Sequence, residues 1–220
     1  MVPVSNEGDG TEVSTGSRPA RRVVPIPFVA VLVAAALVVG YLLGRPGYPL
    51  DNSADAGFLR DMSAHHAQAV EMSMTVLEKS DDPTLRIVAE DIATTQQSQI
   101  GRMQGWLVQW GLGARGAQRP MAWMAGHGHG GDAPESMPGL ATEEQMAELA
   151  AADGEDAEIR YLKLMIEHHR GGAEMADAAA SLGREPIVTD FARGMAAAQR
   201  SEIELMTGML ADRGVEADAS

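Results

Sequence analysis

Residues 58–111 and 161–214 of this chain align without a gap at a constant offset of 103 positions. The identical pairs include Met62/Met165, His65/His168, His66/His169, Glu71/Glu174, Met72/Met175, Pro83/Pro186, Gln96/Gln199, Ser98/Ser201, Ile100/Ile203, Met103/Met206, Leu107/Leu210 and Gly111/Gly214. A repeat of this kind is one supersecondary unit used twice. Each copy has the pattern of a helical hairpin. In the first, a helix is expected from about Asn52 to Lys79, and Asp82-Pro83 then supplies an N-cap and a proline at the first helical position. The next helix runs to about Trp110 and stops at Gly111 or Gly113. The second copy gives a helix to Leu182 with Gly183 as its stop, Pro186 as the restart and an end at Gly214.

Composition agrees with helices. Aromatic residues are only 4% of the chain, so the core must come from Ala, Leu, Ile, Val and the 14 methionines. Ala, Leu and Met are strong helix formers. Two hairpins give four helices, and the expected fold is an all-α four-helix bundle over residues 51–214. Residues 112–141 join the hairpins and read as a loop, rich in Gly, Pro, Met and His with no apolar period. Thr142-Glu143-Glu144-Gln145 is a capping-box pattern that opens a short helix before the third long one.

Ahead of the bundle, residues 1–22 are polar and read as a disordered tail. Val23 to Gly44 carries no charge and has about the length of a helix that crosses a bilayer. Arg18, Arg21 and Arg22 precede it and hold the N-terminus in the cytoplasm. A cleaved signal peptide is the alternative, but Tyr41-Leu42-Leu43-Gly44-Arg45-Pro46 is not a small-x-small cleavage site. The expectation is a single-pass anchor over residues 23–44, with the C-terminal domain outside the cytoplasm. The net charge is −14, and the acidic excess lies after residue 50. That excludes nucleic acid as a partner, since phosphate contacts need a basic surface. Cysteine is absent, which removes disulfides and thiolate metal sites.

All six histidines fall in three pairs: His65-His66, His168-His169 and His127-Gly128-His129. On the first helix Met62 lies one turn before the pair and Met72 two turns after His65; Met165 and Met175 repeat this around His168-His169. Met103 and Met206 lie on apolar stripes of the partner helices. The pairs sit near helix midpoints, so they come level in either bundle topology. Imidazole with thioether suits copper, as Cu(I) or Cu(II), whereas zinc fits this donor set less well. The Glu-x-x-His pattern of di-iron bundles is missing. The candidate ligands are therefore His65, His66, His168, His169, Met62, Met165, Met103, Met206, Met72 and Met175. Glu71 and Glu174 lie roughly opposite the Met62 and Met165 stripes and read as solvated or as inter-helix salt-bridge residues. Met121, Met124, His127, His129 and Met137 form either a second metal site in the linker or a tether. No catalytic arrangement, phosphate loop or nucleophile elbow is present, and the chain does not read as an enzyme. The alternative to a metal-binding protein is a helical interaction module with structural histidines. The expected partners are a metal ion and the membrane, with a second copy of the chain or a copper-handling protein as further candidates.

The runs Asp55-x-x-Phe58-x-x-x-Met62-x-x-His65-His66 and Met165-Ile-Glu-His168-His169-Arg-Gly-Gly-Ala-Glu-Met175-Ala176 resemble the family catalogued as domain of unknown function 305. So do Gln199-x-x-Glu202-Ile203-x-x-Met206 and Ser136-Met137-Pro138-Gly139-Leu140, where Leu140 replaces the second methionine of a Met-Pro-Gly-Met segment. The resemblance covers about residues 51–214. It implies a ferritin-like fold and a role like that of periplasmic copper-binding proteins linked to copper resistance, with His65, His66, His168 and His169 as the residues carried over.

Overall fold

The computed structural model describes residues 25–44, 47–125 and 134–216. It divides into two compact units, residues 1–47 and 48–220. The expected tail over residues 1–22 lies outside the described residues. In the first unit, α1 (Ile26–Leu43) starts from Pro25 and has a proline in its first turn, where a missing N–H costs no hydrogen bond. None of its residues is buried, and it is long and apolar enough to cross a membrane or to serve as a signal sequence.

All the secondary structure described in the second unit is helical: α2 (Ala54–Lys79), α3 (Pro83–Gln109), α4 (Glu143–Ala151), α5 (Gly154–Leu182) and α6 (Pro186–Asp212), with a single 3₁₀ turn at Ala122–Met124. Local chemistry sets most of the ends. Ser53 caps α2 by accepting from the Ala56 N–H. Asp82 caps α3 by accepting from the Thr84 and Leu85 N–H groups. Thr142 and Gln145 form the reciprocal capping box of α4. Past α3 and α6 the chain turns through Gly111 and Gly214 with φ of 73° and 69°. There the Leu112 N–H reaches the Leu107 carbonyl and the Val215 N–H reaches the Leu210 carbonyl, as in a Schellman ending.

Gly183 also ends its helix, but for a different reason from the one its position suggests. Its φ is −65°, which any residue adopts. A Cβ there would lie 2.7 Å from the Ala179 carbonyl oxygen and 2.9 Å from the Asp55 carboxylate. The glycine makes room for a neighbouring helix.

The helices pair as α2 with α3 and α5 with α6, and the two hairpins meet through α2 and α5. These two central helices run antiparallel. The start of α2 meets the end of α5, where Asp55 accepts from the Arg184 and Glu185 N–H groups at 3.0–3.1 Å. The end of α2 meets the start of α5, where the Ser80 hydroxyl donates to Glu158 at 2.6 Å and Lys79 pairs with Asp153 at 3.0 Å. Two copies of a repeat packed antiparallel are related by a pseudo-two-fold axis. It passes where a residue meets its own counterpart, and here those residues are His65 and His168.

Two apolar clusters fill the interior, and all four long helices contribute to each. One holds Phe58, Leu59, Met62, Met103, Leu107, Met175, Ala179, Val188 and Met195. The other holds Met72, Val76, Leu85, Ile92, Leu149, Tyr161, Leu162, Met165, Met206 and Leu210. The axis exchanges them: Met62, Met103 and Met175 stand at one end where Met165, Met206 and Met72 stand at the other.

The linker is not the uniform loop its composition suggests. Trp123 lies edge-on to Phe58 with centroids 5.8 Å apart, and a Cβ on Gly57 would come within 2.6 Å of its ring. The buried carboxylate of Asp61 accepts from the Trp123 Nε1–H at 2.8 Å and from the Met121 N–H at 2.7 Å. Burial pushes the Asp61 pKa up, against those two donors. A hydrophobic anchor and one buried acid thus fix residues 121–124 to α2.

Asp55 is 2% exposed and serves the start of α6, which has no side-chain cap of its own. Hydrogen bonds to a charged group contribute about 1.5–3 kcal/mol. Replacing Asp55 with Ala should destabilise the protein by about 2–3 kcal/mol, measured as a lowered urea midpoint of the detergent-solubilised chain. An unchanged midpoint would show that the contact between the hairpins does not depend on it.

Candidate metal centre

Between the two apolar clusters lies a polar layer. His65, His66, His168 and His169 are each at most 1% exposed. The His65 and His168 rings stack across the axis with centroids 3.8 Å apart and planes 34° apart. His66 lies beside His65 at 6.4 Å, toward α3, and His169 beside His168 at 6.1 Å, toward α6. Every pair among the four is close enough for one ring's charge to disfavour protonation of another.

The four rings are held alike. Each Nε2–H donates to an oxygen that can only accept: His65 to the Pro138 carbonyl at 2.9 Å, His168 to the His65 main-chain carbonyl at 2.9 Å, His66 to Gln99 Oε1 at 2.7 Å and His169 to Glu202 Oε2 at 2.8 Å. On His65, His66 and His168, which burial holds neutral, the proton therefore sits on Nε2 and Nδ1 carries a bare lone pair. All four Nδ1 atoms are buried without a hydrogen-bond partner. A buried acceptor left unpaired is costly. Four in one layer is the arrangement expected where an ion takes the lone pairs and the opposite N–H is tied to carbonyl or carboxylate.

Electrostatics keep those lone pairs free. Burial lowers the pKa of His65 to about 4 and that of His66 to about 3, with the His65 ring adding to the effect on His66. His168 is driven well below the ordinary histidine range by burial, then by His65 and His169.

Gln96 and Gln199 extend the layer. They are 4% and 3% exposed, and Gln96 Oε1 and both amide atoms of Gln199 are unpaired. Gln199 packs on Gly172, where any Cβ would collide with its amide. The neighbouring Gly171 admits the linker: a Cβ there would collide with the Pro138 carbonyl, and one on Gly139 with the Glu167 carbonyl. Gly139 has a φ of 73°. The Arg170-Gly171-Gly172 run in α5 therefore serves close approach, on one side to the Pro138-Gly139 strap and on the other to Gln199.

The structure thus brings the four helix histidines into one layer. It splits the six candidate methionines of the helices into two triads, one in each apolar cluster. All six are fully buried. Among the described residues no group of three or more His, Asp or Glu is arranged to hold a metal ion by itself. A fourth donor type, the thioether, would have to share the ion with imidazole. Glu71 and Glu174 are exposed, as expected. In the linker, Met121 and Met124 are buried in the cluster that holds Met62, and Met137 packs against it. His127 and His129 lie outside the described residues. Gln99, Glu202 and Pro138 were missed as partners of the histidines. Gln99 and Glu202 carry a signal nonetheless, since they occupy equal places in the repeat, three residues after Gln96 and Gln199.

The low histidine pKa values carry a stability consequence. In the unfolded chain these rings titrate near 6.5, so below that pH it binds protons that the folded chain refuses until about pH 4 for His65 and about pH 3 for His66. Their contribution is complete above pH 6.5 and is lost as pH falls from 6.5 toward 4. Each ring weakens stability by about 1.4 kcal/mol per pH unit within that window. Urea midpoints of the metal-free protein should fall steeply between pH 6.5 and 4.5. A flat profile would show that the rings are not buried in the neutral form.

Comparison with known proteins gives the chain its relatives. The family model for "Domain of unknown function (DUF305)" matches residues 55–210. A DUF305 protein of Streptomyces coelicolor, regarded as secreted, is 46% identical, with a TM-score of 0.71 over 78% of this chain and 100% of that one. A DUF305 fragment from Deinococcus radiodurans is 31% identical, with a TM-score of 0.61 over 76% of this chain and 99% of that one. CopM in its Cu(II)-bound form is 25% identical, with a TM-score of 0.53 over 73% of this chain and 97% of that one. CopM has also been solved in Cu(I)-bound, Ag-bound and apo forms. No curated protein matches. With the family model covering most of the sequence and the histidine layer built from its two repeats, the chain belongs to the DUF305 family.

Proposed function

We propose that this protein binds copper outside the cytoplasm, as Cu(I) or Cu(II), and buffers it or hands it on without turnover. The observation that carries this reading is the layer of four buried imidazoles whose Nδ1 atoms have no partner. His65, His66, His168 and His169 would supply nitrogen. Met62 and Met165, one turn before the two pairs, are the nearest thioether candidates by sequence, with Met72, Met103, Met175 and Met206 behind them. Nitrogen with soft sulfur and no thiolate favours copper over zinc. The metal-bound forms of CopM support the same reading.

The four long helices read as a ferritin-like four-helix bundle, consistent with both clusters drawing on all four. The apolar α1 reads as an uncleaved single-pass anchor with the N-terminus in the cytoplasm. The bundle then lies outside, where a negative surface gathers cations.

The test uses the full chain in detergent. Cu(I) should bind in competition with a chelator and raise the melting temperature, because only binding to the native state stabilises it. A variant with His65, His66, His168 and His169 all changed to Ala, and a second with all four changed to Asn, should lose both effects. Copper binding as tight as the parent's in a folded variant would end this reading. A parent that no metal stabilises would favour the interaction module with structural histidines.

A further inference from the structure

The repeat makes the two halves of the histidine layer comparable position by position, and they differ at one telling place. His66 and His169 are equivalent, and each donates its Nε2–H to the equivalent residue of the partner helix. In the first half that residue is Gln99, a neutral amide. In the second it is Glu202, a carboxylate, at 2.8 Å. Glu202 is 24% exposed while the His169 ring is wholly buried, so the acid forms the solvent-touching edge of the layer. The same half holds a second difference. Gly172 stands where the first half has Ala69, and it leaves space for the unpaired amide of Gln199.

We propose that Glu202, acting through His169, sets which charge of ion the layer prefers, favouring a doubly charged ion over a singly charged one. Gln99 leaves the other half neutral. This inference rests on the metal-binding reading above and adds a positioning residue to it. The reason is electrostatic. A carboxylate accepting the Nε2–H draws that proton toward itself and makes Nδ1 a stronger donor. Its full negative charge also attracts an ion in proportion to the ion's charge, across a dry interior that screens poorly. An amide accepts the same hydrogen bond and holds the ring in the same tautomer, yet adds no net charge. The two acceptors thus do the same structural work and differ in the charge they set behind the ring.

The experiment measures Cu(II) and Cu(I) affinities separately, each by chelator competition, for the full-length parent, Glu202→Gln and Gln99→Glu. Both substitutions preserve shape, and circular dichroism checks the fold. Changes next to metal-binding histidines alter affinity about 10–100-fold. Glu202→Gln should lower the ratio of Cu(II) to Cu(I) affinity at least tenfold, which for a one-electron couple is about 59 mV in the potential of the bound ion. Gln99→Glu should raise the ratio. If both variants keep the parental ratio within twofold while still binding copper, Glu202 is only a hydrogen-bond partner and the inference fails alone. If the parent binds neither ion, the proposed function fails and takes this inference with it.

Discussion

The antiparallel contact of α2 with α5 is the constraint on which the rest of the structure depends. A duplicated sequence packed this way has an axis, and the residue on the axis must pack against its own copy. Here that residue is histidine. Two imidazoles stacked at 3.8 Å cannot share that space as cations, because like charges repel strongly where water is excluded. Burial keeps both rings neutral, and each must place one N–H. His168 uses the main-chain carbonyl of His65, and His65 uses Pro138. The linker that carries Pro138 has no counterpart in the repeat, so it breaks the symmetry at the axis.

That arrangement is expensive, and the chain carries the expense in recognisable places. Glycine inside a helix costs about 0.5–1 kcal/mol relative to alanine. Gly171 and Gly172 accept that cost in the middle of α5 so that the strap and Gln199 can approach. Among the described residues, seven buried side-chain nitrogen or oxygen atoms lack partners, and all belong to the four histidines, Gln96 and Gln199. An apolar layer at the same height would be more stable. The apolar clusters above and below hold the layer in place. The acids at equivalent positions 55 and 158 fix the two ends, each gripping the turn of the opposite hairpin.

The features that weaken the fold are those that suit the proposed chemistry. Burial keeps His65, His66 and His168 unprotonated far below neutral pH. The oxygens behind them fix the tautomer, and under the proposed function the methionine triads would offer soft donors without a thiol. Under the proposed function, such a site would be ready for a metal before the metal arrives.

Much of this was legible before any coordinates. The offset of 103, the paired histidines and the caps at Asp82 and Thr142 follow from local chemistry and periodicity, which need no knowledge of distant contacts. So does the exposure of Glu71 and Glu174. What the sequence could not reveal depends on which element meets which. Antiparallel packing of α2 and α5 put His65 against His168 and sent Met62 and Met165 to opposite ends, where helix phase alone would leave them facing one layer. Gly183 looked like a helix stop by conformation and is one by lack of space. Met121 and Met124, which the sequence assigns to either a second metal site or a tether, pack in the core because Asp61 and Phe58 hold Trp123 from a helix some sixty residues away. The sequence by itself determined the repeat, the helices and the residue types in the layer. Only the tertiary structure decided which nitrogen of each histidine is bare, because that depends on an oxygen brought up from another part of the chain.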